Sequence, residues 1–283
     1  MSNSHFNPDY ALALQDDLRF FKQQQLWDSL RVCLTSYCGI TPLVRNYTRR
    51  RIEKLFDLRG NAFDQPLGET YFPEYLSEPG INDPATLQNG LPILNFRSIR
   101  SLRLPWREEL QMRRQMSAFT LYRAPVQEGI LFSQYNKGAA ENRSWALSLK
   151  DNPAQNQLGM RVTLSADGTL ANGKNYESIP ATADQVFDRW AMIGFTFSEG
   201  VLRLYIDGQP LSADQLSITQ DVAFEELYNS AEDLHVSNYL DDGAHANTVD
   251  GDMLAVLLFD TAVSDEAAAA LNAHFRARYG LME

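Results

Sequence analysis

The densest group of oxygen donors in the sequence lies between Asn238 and Asp252. Asp241, Asp242, Asp250 and Asp252 stand there among glycines, with His245 between them. Calcium takes roughly six to eight oxygen ligands, and a Gly-rich loop can bend to supply several. The spacing matches no EF-hand, and the same residues also suit an exposed polar connection whose Asp and Gly serve turns. Calcium on these four aspartates is the one metal reading of the chain, and no other cofactor is expected.

Catalysis finds less support. Glycoside hydrolysis needs two carboxylates, one to protonate the leaving group and one to attack or to activate water. On a single strand they must sit at even spacing to share a face. No Glu-x-Asp occurs, and the acidic pairs Glu225-Glu226 and Asp241-Asp242 are adjacent, which on a strand turns them to opposite faces. Gly-x-Ser-x-Gly, His-Glu-x-x-His and a Gly-rich phosphate loop opening a helix are all missing. Of four histidines, His5 lies in the polar start of the chain, His235 in a predicted strand and His274 on a predicted helix. The chain is therefore not expected to be an enzyme.

Residues suited to recognition are more plentiful. Arg45, Arg49, Arg50 and Arg51 form one basic cluster, and Arg97, Arg100, Arg103, Arg107, Arg113 and Arg114 form another. Each reads either as a solvated, salt-bridged surface or as a docking patch for an acidic partner. Arg49, Arg50, Arg51, Arg100 and Arg103 are the interface candidates among them. Nucleic acid is not an expected partner, because 36 acidic against 25 basic residues give a net charge of −11. Aromatic residues in or beside predicted loops, among them Trp106, Tyr135 and Tyr239, suit either packing or stacking on a sugar ring. Trp106 and Tyr239 are the glycan candidates. Cys33 and Cys38 are the only cysteines, too few for a disulfide scaffold or a zinc site, and free thiols are expected.

The elements that must position these residues fall into three parts. Asn7-Pro8 starts a helix, with Asn7 as cap and Pro8 at the first helical position. Ala11, Leu14, Leu18 and Phe21 follow at helical spacing, so an amphipathic helix is expected to about Ser29. Its apolar face must bury against the rest of the chain or another chain. The second reading makes residues 1–30 a partner-docking extension and Leu14, Leu18 and Phe21 interface candidates. Ten short β-branched and aromatic runs come next, at 30–34, 93–96, 118–122, 130–134, 145–149, 159–164, 190–197, 201–206, 234–237 and 252–259. Asp167-Gly168, Asn172-Gly173 and Asp207-Gly208 separate some of them with the positive φ angles of tight hairpins. A closing helix is expected over 264–279, capped by Ser264, with Asp265 and Glu266 in its first turn and Arg276 and Arg278 near its end. These elements make residues 31–283 one all-β domain.

Three segments resemble the concanavalin A-like or laminin-G-like jelly rolls. IEKLFDLRGNAFDQ, residues 52–65, is similar to that family's opening turn at Asp57, Gly60, Asn61 and Asp64, with Arg59 in place of the usual Ser. RWAMIGFTFSEGVLRLYIDGQPL, residues 189–211, resembles its hairpin ending in Tyr-x-Asp-Gly. Residues 250–280 look like its closing strand and helix. The resemblance implies a two-sheet antiparallel jelly-roll sandwich with a helix at each end. FRSIRSLRLPW, residues 96–106, departs from the acidic turn the family often carries there.

The fold hosts lectins, enzymes and structural proteins, so it does not by itself give a function. Without a catalytic pair, two readings remain. The first is a structural subunit of a large, homo-oligomeric assembly, by analogy a tailed-phage virion component such as a collar, tail-associated or head-decoration protein. The second is a carbohydrate-binding adhesin or receptor-binding module. No secretory signal is read in the polar first residues and no apolar run reaches a membrane span of roughly 18 residues. The expected location is a virion assembled in the host cytoplasm.

Overall fold

Strands whose two faces both meet other layers lose the apolar–polar alternation of a half-exposed sheet and become continuous apolar runs. Gly251–Phe259, GDMLAVLLF, is such a run, and so is Ala191–Ser198, AMIGFTFS. Both lie in the middle of the larger of two antiparallel sheets in the computed structural model. The model describes residues 8–38, 40–43, 50–63, 74–76, 87–96, 101–123, 128–136, 138, 142–152, 157–179, 189–237, 239–241, 244–246 and 249–281.

The larger sheet runs in the order Gln209–Pro210, Val201–Ile206, Ala191–Ser198, Gln115–Arg123, Gly251–Phe259, Leu91–Phe96, Glu74–Leu76, Arg50–Phe56 and Ile40–Leu43. Leu30–Thr35 pairs with the second half of Gly251–Phe259. The smaller sheet runs Leu216–Asp221, Gly173–Ser178, Gln157–Ser165, Arg143–Asn152, Gly129–Tyr135, Leu234–Val236 and Leu102–Leu104. Their inner faces form one core. Phe195, Leu204, Tyr122 and Val256 come from the larger sheet, and Trp145, Phe132, Val162 and Leu234 from the smaller. Trp145 sits between the sheets, its ring 5.0 Å from Phe132 edge-on and 6.0 Å from Phe195. The fold is the all-β, two-sheet antiparallel sandwich, with a helix at each end.

Both helices, Pro8–Gln23 and Asp265–Arg278, cover the outer face of the larger sheet. Phe21, Leu271 and Phe275 share a second buried cluster with Phe119, Leu257 and Phe259 of that sheet. The closing helix begins as expected: the Ser264 side chain accepts from the Ala267 N–H, and Asp265 and Glu266 fill the positive first turn. The opening helix is rotated relative to the expected stripe. Its deepest residues are Ala13, Asp17 and Phe21, while Ala11, Leu14 and Leu18 are only partly buried. A carboxylate at the centre of the buried face explains the difference. Tyr37 donates its hydroxyl to Asp17, His274 Nε2 lies 2.8 Å from the other carboxylate oxygen, and Arg278 approaches to 3.5 Å. Phe20 stacks on the His274 ring at 4.0 Å.

Candidate functional site

The opening motif serves structure. Asp57 is buried and accepts from the backbone N–H groups of Cys33, Arg59 and Asn61 and from the Asn61 side chain. Burial still holds its carboxyl above the usual range, the desolvation cost outweighing the N–H donors that lower it. Gly60 takes φ +80, which closes this turn without a Cβ clash. Asn61 continues outward, donating to the Arg31 carbonyl and accepting from the Arg107 guanidinium. Arg59, which stands where the family has Ser, lies 4.5 Å over the Trp27 ring and so ties the motif to the segment after the opening helix. Asp64 lies outside the described residues.

The Tyr-x-Asp-Gly turn is likewise occupied from within. The Asp207 carboxylate accepts from the Met192 N–H and from Arg189, and its carbonyl accepts from Asn272 of the closing helix. A Cβ on Gly208 would stand 2.8 Å from the Ala268 carbonyl, so the turn and the helix meet where only glycine fits. The Tyr205 hydroxyl donates to Asp265.

Among the calcium candidates, Asp252 accepts from Asn95 at 2.6 Å and Arg123 at 2.8 Å. That guanidinium already balances its charge, and it also packs over the Trp190 ring. Asp250 is half-buried just before the same strand. Asp241 belongs to a hairpin in which Tyr239–Asp241 pairs with Ala244–Ala246, where a loop was expected. Asp242 lies outside the described residues. The side chains of Asp241 and Tyr239 are not among those described.

The interface candidates divide in the same way. Phe21 is fully buried within the chain, between Phe259 and Phe275, and so offers nothing to a second chain. Leu14 packs partly against the same cluster and Leu18 is half-buried. Arg103 pairs with Asp233 at 3.4 Å. Arg113 and Arg114 share the Glu226 carboxylate at 2.6 and 2.8 Å, which depresses the pKa of Glu226. The Arg50 and Arg51 backbones form part of a strand that the sequence reading missed, and Arg49 and Arg100 lie outside the described residues. Both cysteines are free and buried, and burial pushes both thiols up.

Trp106 differs from all of these. It follows Leu102–Leu104, the edge strand of the smaller sheet, and is 38% exposed. Its backbone is held rather than loose. The Trp106 N–H donates to Asp233 at 2.7 Å, and Arg103 pairs with the other oxygen of that carboxylate. On the far side Arg107 donates to Asn61, and the short helix Glu108–Leu110 buries Leu110. A large aromatic is thus presented to solvent on a rim fixed at both ends, with exposed Pro105, Arg107, Glu108 and Glu109 around it. Tyr135, the other rim aromatic of the smaller sheet, is buried beside Arg143.

No protein-family model matches the chain, and no curated protein is recognisably similar to it in sequence. In structure it is similar to the binding domain of Paraclostridial Mosquitocidal Protein 1. The TM-score is 0.54 at 12% identity, over 89% of this chain and 53% of that one. A mutant of HCR/D gives 0.50 at 12% identity, over 90% and 54%. A native heptameric SAP-like pentraxin from Limulus polyphemus gives 0.42 at 11% identity, over 60% and 79%. The chain spans about half the length of the first two. At these identities the likeness is one of fold, a jelly-roll sandwich.

Proposed function

We propose that this chain is a non-enzymatic recognition module that binds carbohydrate at the Trp106 rim. The observation that carries the reading is the half-exposed indole on a backbone fastened by Asp233, Arg103 and Arg107. An aromatic face carries partial negative charge and packs well on the C–H face of a sugar ring. A rim already held in place loses little conformational freedom when a ligand arrives. Glu108, Glu109 and Arg107 supply acceptors and donors beside the ring for hydroxyl groups. The sandwich shared with the mosquitocidal protein's binding domain supports a binding role.

The assembly reading, including a tailed-phage virion role, leaned on the opening helix and the arginine clusters as offered surfaces. Phe21 and Asp17 of that helix are buried in this chain, and Arg103, Arg113 and Arg114 are engaged by carboxylates of the same chain. Carbohydrate is therefore the reading adopted. The carboxylates of Asp57, Asp207, Asp252 and Glu226 hold the fold together through N–H donors, which supports a non-catalytic role.

A glycan array with the intact chain and Trp106→Ala tests the proposal. Saturable binding to at least one glycan is expected, weakened about 30-fold in the variant, as for loss of a central aromatic anchor. Thermal stability should be unchanged. Absence of saturable binding across the array, or equal binding by the variant, would sink the proposal.

A further inference from the structure

A cleft of about 410 Å³ opens on the outer face of the larger sheet. One wall is the 191–206 hairpin, which presents Ser198, Val201 and Arg203. The other is the start of the closing helix, with Asp265 and Glu266. Its volume lies in the range of small-ligand sites, roughly 300–1,000 Å³.

The walls are fixed to one another. The Tyr205 hydroxyl donates to Asp265 at 2.7 Å across the cleft floor. Ser117 donates to the Thr261 carbonyl and accepts from the Val263 N–H, which pins the approach to the helix onto the sheet. Asn272 fastens the helix to the Asp207 turn. Sites that recognise small molecules are largely preformed in this way, with a few convergent polar groups.

The lining specifies the ligand class. Arg203 is 59% exposed and stands 3.5 Å from Asp265, a loose pair that leaves donor and acceptor capacity open on both partners. Neighbouring hydroxyls of one ligand can accept from the guanidinium and donate to the carboxylate at the same time. Val201, 56% exposed, and Ala262 offer an apolar strip beside these charges. Two carboxylates, Asp265 and Glu266, against the one guanidinium of Arg203 disfavour an anionic ligand, whereas a neutral, hydroxyl-rich ring with one apolar face can use donor, acceptors and apolar strip together.

We infer that this cleft is a saccharide site separate from the Trp106 rim, large enough for a neutral hexopyranose. The inference stands on the cleft alone and does not require the rim to bind.

Titration of the ¹⁵N-labelled intact chain with methyl glycosides of glucose, galactose, mannose and N-acetylglucosamine, at millimolar concentrations, tests it. At least one glycoside should shift the amides of Ser198, Val201 and Ser264 saturably. Arg203→Ala should weaken that response about ten-fold or more, the usual effect of removing a charged hydrogen-bond donor. Trp106→Ala should leave it unchanged. Arg203 is a surface residue, and an unaltered spectrum away from the cleft confirms that the variant folds. The inference is overturned if no glycoside moves those amides, or if Arg203→Ala responds like the parent chain. Shifts confined to the Trp106 region would overturn it while leaving the rim reading intact.

Discussion

The two sheets of the sandwich face different surroundings on their outer sides, and this decides which residues can serve stability and which can serve recognition. The larger sheet is covered by two helices, so Phe119, Leu257 and Phe259 on its outer face are as buried as Phe195 and Leu204 on its inner one. The smaller sheet ends in strands open to solvent. Leu216–Asp221 at one edge is mostly exposed, with Ile218 at 48%, and the loop after Leu102–Leu104 at the other edge presents Trp106. Coverage makes one sheet a scaffold; openness leaves the other's edges free for contact. The 410 Å³ cleft follows the same logic, since it lies where the helical cover of the larger sheet stops.

The contrast is tested most strongly at Phe21. Its ring is fully buried against Phe259 and Phe275, so Phe21→Ala removes a core aromatic and leaves a cavity. A loss of about 3–5 kcal/mol is expected. In a chain of this size that lowers Tm by roughly 10 °C, measurable by calorimetry. Ile218→Ala on the open edge should cost no more than about 0.5 kcal/mol. Equal costs at the two positions would end the division into scaffold and free edge.

A smaller effect is expected at Asp57, where the scaffold rests on polar groups. Asp57→Asn keeps the shape of the side chain but replaces one acceptor oxygen by a donor, facing N–H groups that already donate. About 2–3 kcal/mol should be lost in urea unfolding near neutral pH, the cost of leaving buried donors unpaired. Burial raises the folded-state pKa of Asp57 above its unfolded value. Its protonated form therefore contributes stability that is fully present below the ordinary carboxylate range and lost as pH rises through the folded pKa. The parent chain should exceed the variant by more at mildly acid pH than at pH 7. A difference that shrinks on acidification would show that the carboxylate is instead stabilised by its four donors.

The same contrast explains what could be read from the sequence. All ten expected strands are present, because each contains the apolar run of a strand facing the core. Gly173–Ser178 and Leu216–Asp221 were missed. Their sequences, GKNYES and LSITQD, hold only Tyr176, Leu216 and Ile218 as large apolar residues, too few to form an apolar run at or next to the sheet's edge. The strand Arg50–Phe56 is hidden in the sequence because Arg50 and Arg51 read as part of a charge cluster and residues 52–56 as the start of the opening turn. The opening helix was legible as a helix but not in its rotation, since periodicity assigns its buried face to leucines and cannot foresee Asp17 at the centre. Of the site, Trp106 was visible as a loop aromatic, although only the structure shows Asp233 holding it. The cleft had no sequence signal. Arg203 and Asp265 are 62 positions apart, and only the packing of the closing helix on the hairpin brings them together.

The smallest expected effect lies at the open edge itself. Lys174 is buried beside Phe224 and donates to Asp221, whose own side chain is about half exposed. The Lys174 hydrogen bond holds the Asp221 carboxyl below the usual range. Its stabilising contribution is thus present above the unfolded carboxylate pKa and lost as pH falls through the depressed folded one. Because solvent screens one partner, the pair should contribute about 1 kcal/mol at most. Asp221→Asn should lower stability by that amount at pH 7, and the deficit should vanish only below about pH 4, where the parent chain loses the pair as well. Chemical denaturation of both chains across that range measures it. A deficit several times larger would mean that the buried ammonium depends on this one carboxylate, and that the open edge bears load as the covered sheet does.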